Sequence, residues 1–485
     1  MKGKRQPTEC KGAGNIELGR LQVHLDRSED VTAYGGLGLV TQAARRLGFF
    51  DSVDRRVKVL EIHQGYRESD HLFHLLCSIF AGAGRLQDTA LFQADPTYRK
   101  LLRVEKVSDP TTLGDFLRRF GRSDLNELKE AGWEMQSKAW RELSRRQRRL
   151  ASLDLDSRIC QVYGDSKEGA DYSYKKTLAY HPEMLSLGET GEWLDGVNRS
   201  GNEPSGERAA YLLRRNLPRV KELFQSVCVR GDTKFGRTDV LDVCRAEAVR
   251  VCVGWAGYAN LISIAEALPE YRWRVLCRRP SSAEAAGPEK TRRKRPNLRR
   301  RKARQRGYTD KKLKSEQVAE FAYCPSRQKQ PQTYRMIAVR KQIEVAGKKM
   351  ALFDQYEYRF ILTDLAETSL ERLVRYAYGR CNQENLIEQG KNGVSAFRMP
   401  TGELQANEAW MLVAMLAHNL KNWICLLALG KEKLSWEWKK FRLCFVYVVA
   451  RVTHAARQVH LWLSPGHPFT PEILAGARLL GAAAG

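Results

Sequence analysis

The chain has 485 residues and a mass of 55.4 kDa, a length that accommodates about three domains. Its 43% apolar and 28% charged residues exclude a wholly disordered chain, and 11 cysteines over this length exclude a small disulfide scaffold. Lys and Arg number 82 against 56 Asp and Glu, a net charge of +26, which points to a polyanionic partner: nucleic acid or an anionic membrane surface.

Residues 1–31 read as a flexible tail. Met1–Lys11 is polar with no apolar run behind it, so no signal peptide is expected. Residues 32–150 read as helical. Leu37, Val40, Ala44 and Leu47 recur at helix spacing, and His71–Gly82 is a second apolar segment. Ser108-Asp109-Pro110 sets cap residues and a proline ahead of Leu113, Phe116, Leu117 and Phe120. Glu127–Arg149 is predicted as one long helix with an arginine-rich end.

The pattern changes at Leu153. Leu153-Asp154-Leu155-Asp156-Ser157 alternates with the period of a strand. Val227–Arg230, Val249–Val253, Arg272–Cys277 and Tyr356–Leu362 read as further strands. Helices are predicted over Ser369–Gln389 and Asn407–Leu429, with a last helical pair over Trp436–Trp462. The apolar stretch Ala409–Leu429 is interrupted by His418, Asn419, Lys421 and Asn422, which a spanning helix tolerates poorly; it reads as a buried helix, and no membrane partner is expected. Strands followed by helices behind a helical front end predict an α/β core beside an all-helical module.

Metal-binding cysteine or histidine is not expected. No CxxC occurs, Cys244 and Cys252 are the closest cysteine pair, and His71 and His74 lack a second ligand pair. Trp255 and Trp273 can stack a displaced base, although core residues are the plainer reading.

Carboxylates carry the chemistry. Asp154 and Asp156 lie two apart on one strand and share a face, and burying two like charges is costly unless a cation neutralises them. Asp232 ends another strand-like run behind Gly231. Arg380, Glu384, Glu388 and Lys391 fall on one face of a continuous helix, where an ion-pair ladder is the plainer reading. Carboxylates converging on Mg²⁺ are the usual arrangement in phosphoryl-transfer sites.

In order, Leu153-Asp154-Leu155-Asp156-Ser157, Val229-Arg230-Gly231-Asp232-Thr233-Lys234-Phe235 and Tyr378-Gly379-Arg380-Cys381-Asn382-Gln383-Glu384-Asn385-Leu386-Ile387-Glu388-Gln389 resemble the motifs of bacterial insertion-sequence transposases of the DDE class, the family numbered thirteen-eighty. Tyr180-His181-Pro182, Arg199-Ser200-Gly201-Asn202, Ala406-Asn407-Glu408-Ala409-Trp410 and Gly82-Ala83-Gly84-Arg85 fit the same family, so the resemblance covers roughly residues 32–462.

The resemblance implies an RNase H-like mixed sheet with flanking helices, preceded by an all-helical DNA-binding module. The implied organisation is a tail (1–31), a helical DNA-binding domain (32–150), a catalytic domain (151–430) with an insertion over about 255–350, and a helical C-terminal segment (431–485). The implied acids and metal ligands are Asp156 (Asp154 as the alternative first acid), Asp232 and Glu384, holding two Mg²⁺ ions, or Mn²⁺ in their place. Arg380 and Lys391 would hold phosphates. DNA is the implied partner, as terminal inverted repeats and target, with a homodimer in the DNA complex and a cytoplasmic, nucleoid-associated location in a bacterium. Two rivals share these motifs: a descendant that binds DNA without cutting, and a nuclease without strand transfer. Arg158 stands where the family commonly has threonine, bringing a cation toward the first acid.

Between the second and third acids, residues 290–314 carry 14 Lys or Arg, including Arg299, Arg300, Arg301 and Lys302. Like-charge repulsion keeps such a block from packing on itself. Read as a phosphate-binding arm, it makes affinity fall with salt, with a slope of about −0.9 per phosphate contact. Replacing Arg299, Arg300, Arg301 and Lys302 with Ala should flatten that slope by roughly three while leaving any sequence preference intact. An unchanged slope in a salt titration of DNA binding would reduce the segment to a solvated linker.

Overall fold

The computed structural model describes residues 30–481, apart from 64, 165, 277–310, 346–355, 380 and 456–457. The expected tail and most of the basic arm therefore lie outside the described residues. Strands in chain order are β1 (Val31–Thr32), β2 (Ala151–Ser157), β3 (Cys160–Gln161), β4 (Asp171–Tyr172), β5 (Leu178–Tyr180), β6 (Glu183–Leu187), β7 (Glu192–Val197), β8 (Val227–Gly231), β9 (Arg250–Trp255), β10 (Arg274–Val275), β11 (Lys311–Tyr323), β12 (Tyr334–Val345), β13 (Tyr356–Thr363), β14 (Ala450–Ala455) and β15 (Gln458–Leu463).

Nine of them form one mixed sheet in the order β10-β11-β12-β13-β9-β8-β2-β6-β7. β2 lies inside it, antiparallel to β6 and parallel to β8, and β8 is parallel to β9. The alternation predicted for β2 is present: Leu153 and Leu155 are fully buried in the apolar core on one face, with Asp154 and Asp156 on the other. The expected insertion is built into this sheet, because β11 and β12 pair over most of their length and β12 continues onto β13. Arg272–Cys277 contributes only the short β10.

The front end is helical, as expected. Leu37, Val40, Ala44 and Leu47 line the buried face of the helix Leu37–Leu47. The helix Pro110–Arg118 starts where the caps predicted: the Asp109 carboxylate accepts from the N–H groups of Thr111 and Thr112 at 2.8 and 2.9 Å. The helix Arg122–Arg141, however, ends eight residues short of Arg149, and Arg145, Arg146, Arg148 and Arg149 follow it in a turn and loop. There Arg148 Nε donates to the Leu143 carbonyl at 3.1 Å.

The front helices do not stand as a module of their own. They share one apolar core with residues from Leu386 to Leu480, and β1 pairs with β14. The C-terminal segment is also not all helical. Beyond the short helix Trp438–Phe441, β14 and β15 form a hairpin, with a last helix at Thr470–Leu479. β-branched Val452, Thr453 and Val459 and the aromatic Trp462 favour that hairpin over the predicted helix.

The helix Leu404–Ile424, continued as a π-helical turn through Leu429, is long and apolar enough to cross a membrane, yet it is largely buried inside the fold. Its polar residues are the contacts that dock it. Asn419 accepts from the Trp193 N–H at 2.8 Å and donates to the Trp193 carbonyl at 2.7 Å. Lys421 Nζ donates to the Trp436 carbonyl at 2.9 Å, and Asn422 Nδ2 to that of Thr190 at 3.0 Å. His418 takes a hydrogen bond on Nδ1 from Trp438 Nε1 at 3.2 Å and gives one from Nε2 to the Gly191 carbonyl at 3.0 Å, the pattern of a neutral ring.

His71 and His74 are core residues as well. His71 lies 2.6 Å from Ser108 Oγ and stacks on Phe116, and His74 lies 2.9 Å from the Tyr98 hydroxyl. Burial lowers both from 6.5 to about 4 and His418 to about 3. A histidine with a depressed folded value contributes stability that is complete above 6.5 and is lost as pH falls toward the folded value. His418→Gln keeps a donor and an acceptor but cannot titrate. The variant should be less stable than wild type at pH 7.5, and the gap should narrow by about 1.4 kcal/mol per pH unit below about pH 6. Urea melts at pH 7.5, 6 and 5 read this directly, and a constant gap would mean that His418 does not carry the linkage.

Candidate active site

The two aspartates of β2 have different fates. Asp154 is buried and held by Arg230 of β8 in a bidentate pair, Nε–Oδ1 at 2.6 Å and Nη2–Oδ2 at 2.7 Å. Arg230 also lies over the Tyr376 ring at 4.8 Å and donates from Nη1 to the Tyr376 carbonyl at 3.1 Å. The Tyr376 hydroxyl lies 2.8 Å from Ser152 Oγ, which returns the network to β2. Asp156, one residue from the end of β2, is only half-buried, and its Oδ1 accepts from the Ser157 N–H.

Asp232 follows the last residue of β8. The parallel register pairs Leu155 with Gly231, so Asp156 and Asp232 are the next residues on neighbouring strands, which run about 4.8 Å apart. The Asp232 carboxylate accepts from the Lys234 N–H at 2.8 Å, and its carbonyl from the Phe235 N–H at 3.0 Å, closing a tight turn. Glycines let that turn lie against β9. A Cβ on Gly254 would come within 2.8 Å of Thr233 N, and one on Gly236 within 2.2 Å of the Gly254 carbonyl. Among the described residues, Asp232 forms no ion pair.

Glu384 lies on the short helix Cys381–Glu388. The preceding residue, Gln383, is buried and fixes that helix to the sheet: its Nε2 donates to the Asp154 carbonyl at 2.9 Å and reaches Ser186 Oγ at 3.3 Å. Glu384 itself is exposed. The helix predicted over Ser369–Gln389 is two helices, Leu370–Tyr378 and Cys381–Glu388. The predicted single face is broken at its C-terminal side, where Lys391 falls in a π-helical turn, Gln389–Gly393, whose wider period removes it from the Glu384–Glu388 face. Glycines fit that turn against aromatic neighbours, since a Cβ on Gly393 would lie 2.3 Å from Trp438 Cδ1. Lys391 is exposed there.

Arg380 and Arg299, Arg300, Arg301 and Lys302 lie outside the described residues. Arg158 sits 5.6 Å from the centre of the Phe397 ring. Trp255 and Trp273 are buried, and Arg340 packs over Trp273 at 4.2 Å. Among the described residues, no three His, Cys, Asp or Glu side chains stand close enough together to hold a metal ion. The fold thus brings Asp156 and Asp232 to adjacent strand ends, with the Glu384 helix tied to the same strand, but does not close the three carboxylates on one point. Arg230 and Gln383 are the residues that sequence reasoning passed over. The signal for Arg230 was a lone cation directly after the apolar run Val227-Cys228-Val229, beside a strand with a surplus carboxylate.

Residues 19–482 match the family model described as Transposase DDE domain group 1. The match spans nearly the whole chain, and the protein belongs to that family of transposases. No curated protein matches it. Among solved structures, it is similar to a piggyBac transposase synaptic complex with hairpin DNA determined by cryo-EM. That likeness has 11% identity and a TM-score of 0.29, covers 85% of this chain and 82% of that one, and is too loose to bear on the fold.

The two β2 aspartates should separate in a stability measurement. Asp154→Ala leaves the Arg230 guanidinium buried without its partner, which costs about 3–5 kcal/mol. Asp156→Ala removes a half-buried group and should stay within about 1 kcal/mol. Equal losses in urea unfolding would show that the Asp154–Arg230 pair does not hold the two strands together.

Proposed function

We propose that this chain is a DNA transposase that cuts the ends of an insertion sequence and joins them to target DNA, with Asp156, Asp232 and Glu384 as its catalytic acids. The observation that carries the reading is the parallel register of β2 and β8, which brings two carboxylates to one edge of the sheet at neighbouring strand ends. The family match supports the reaction class. Asp156 is preferred to Asp154 because the Asp154 carboxylate is buried and taken up by Arg230. We read β7-β6-β2-β8-β9 as an RNase H-like core: three antiparallel strands with two parallel ones added beyond β2.

The donor set consists of carboxylate oxygens alone, which suits Mg²⁺ or Mn²⁺. Asp156, Asp232 and Glu384 would hold the ions, and closing them on a common point requires the exposed Glu384 to move toward the strand ends. Bound ions would supply charge neutralisation at the attacked phosphodiester. The chain's own part is positional. Gln383 sets the Glu384 helix against β2, and Lys391, with Arg380, would grip the neighbouring phosphate as a cation. Water first frees a 3′-hydroxyl at the element end, and that hydroxyl then attacks target DNA. The exposed arginines of the turn after Arg141 would contact the backbone of the terminal repeats, where phosphate contacts supply affinity and a few base contacts supply sequence preference. A homodimer would hold the two ends.

Asp156→Asn, Asp232→Asn and Glu384→Gln preserve shape and remove the charge a divalent ion requires. Each should abolish cleavage of DNA carrying the element's ends in Mg²⁺ while leaving binding largely intact. Near-normal cutting by any one variant would remove that residue from the set. Wild-type protein that cuts but does not join ends to a target plasmid would be a nuclease, and one that binds without cutting would be the non-catalytic descendant.

A further inference from the structure

The segment between β2 and β6 does not close as a simple turn. It rises as a separate three-stranded sheet in the order β3-β5-β4. Its position follows from the chain: β3 begins three residues after Ser157, β5 ends three residues before Glu183, and Ser157 and Glu183 are paired. The small sheet therefore grows from the same edge of the large sheet that carries Asp156.

Its base is fixed. Lys167 Nζ donates to the carbonyls of Met399 and Thr401, both at 2.6 Å. Glu168 accepts from the Leu404 N–H at 3.0 Å, and the Asp171 carboxylate is engaged by Asn202. Gly201 packs against it so closely that a Cβ there would lie 2.3 Å from the Asp171 carbonyl. The carboxylates of Glu168 and Asp171 are thus used in anchoring.

What the extension presents outward is aromatic and cationic. Tyr163, just past edge strand β3, is 80% exposed, and Tyr172 on the opposite edge and Tyr174 beyond it are 66% and 76% exposed. Tyr172 and Tyr174 flank a buried serine at the tip of the β4–β5 hairpin. Lys175 Nζ lies 5.7 Å from the Tyr174 ring centre, and Lys176 holds a left-handed backbone (φ 56°) where glycine is favoured. Three tyrosines of this exposure serve no packing purpose. A phenol ring can stack on any nucleobase whose face is free, and neighbouring lysines neutralise the phosphates between bases.

We propose that this extension is a stacking platform for unpaired DNA bases beside the cut site, with Tyr163, Tyr172 and Tyr174 taking the bases and Lys175 and Lys176 the backbone. The inference rests on the DNA-cutting reading above. Unpaired DNA is the occupant because a base inside a duplex has both faces covered by its neighbours, leaving only its edges to a protein.

The test uses the full-length protein and two labelled probes: a blunt duplex of about 20 base pairs, and the same duplex with a 3′ tail of about ten thymidines, within the site sizes of single-strand-binding grooves. Wild type should bind the tailed probe about tenfold or more tightly than the blunt one, as stacking of one or two bases provides. The triple variant Tyr163→Ala/Tyr172→Ala/Tyr174→Ala should lose most of that advantage, keep its affinity for blunt duplex, and melt at the wild-type temperature. The matching triple Phe variant should behave as wild type, since it retains the ring and loses only the hydroxyl. An Ala variant that binds the tailed probe as wild type does, or that loses affinity equally for both probes, overturns the platform while leaving the transposase reading intact. Wild type that binds neither probe overturns both.

Discussion

A buried ion pair between two adjacent strands ties together the end of the sheet that bears the candidate site. Removing a carboxylate and a guanidinium from water costs several kcal/mol per ion, and only close geometry with further hydrogen bonds offsets it. Asp154 and Arg230 meet these terms through two parallel N–H to oxygen bonds, the Tyr376 ring beneath the guanidinium, and a third donor satisfied by the Tyr376 carbonyl. The pair tolerates little beside it: a Cβ on Gly188 would lie 2.5 Å from Arg230 Nη2 and 2.9 Å from Asp154 Oδ2. Because Asp154 also offers its carbonyl to Gln383, the same residue fixes β2 to β8 and positions the helix that bears Glu384. Asp154 thus serves the frame, while Asp156, two residues on near the strand end, is half-buried.

The same device recurs through the interior. Glu192 on β7 accepts from Trp140 Nε1 at 3.0 Å, Trp423 Nε1 at 2.7 Å and Gln136 Nε2 at 2.9 Å, joining a front helix, the sheet and the long buried helix at one carboxylate. Burial raises its proton affinity. Lys129 bridges Asp195 of β7 and Glu408 of the long helix at 3.1 and 3.2 Å. Glu183 meets Arg199 at 3.1 Å, and desolvation pushes that carboxyl up to about 7 against the pull of the arginine. A chain with a net charge of +26 thus turns several of its carboxylates inward as connectors. Cations are buried with them (Arg230, Arg199 and Lys129 among them), so the net positive charge stays on the surface, which favours capture of a polyanion.

These connectors explain why the front helices are not an independent unit. Trp140 and Gln136 reach Glu192, Lys129 reaches Asp195, and the apolar faces of the early helices pack on residues that follow Leu386. A core assembled from both ends of a chain places its central sheet under constraint from either side. It also means that a front-end fragment would expose the face meant for the long helix.

Local patterns in the sequence were enough for β2, the Asp109 cap and the buried character of the 404–424 helix, because each depends on alternation, capping chemistry or polar interruption within a few residues. They failed where a neighbour far along the chain decides. The pairing of Asp154 with Arg230 was not legible, because the two meet only when β2 and β8 lie side by side. Reading Glu384, Glu388 and Lys391 as one face required an unbroken 3.6-residue period, which the π turn at Gln389–Gly393 interrupts. β6 and β7 escaped notice because Glu183, Glu192 and Asp195 look like surface residues until their distant partners are in place. The β14–β15 hairpin departs from the predicted helix because it packs on β1 and on the helix Pro96–Leu102, more than three hundred residues earlier. The sequence by itself determined which residues carry charge and which segments are extended or helical over short range. Only the tertiary structure decided that Asp154 is paired with Arg230 inside the sheet, since that depends on which cation the fold brings within hydrogen-bonding distance.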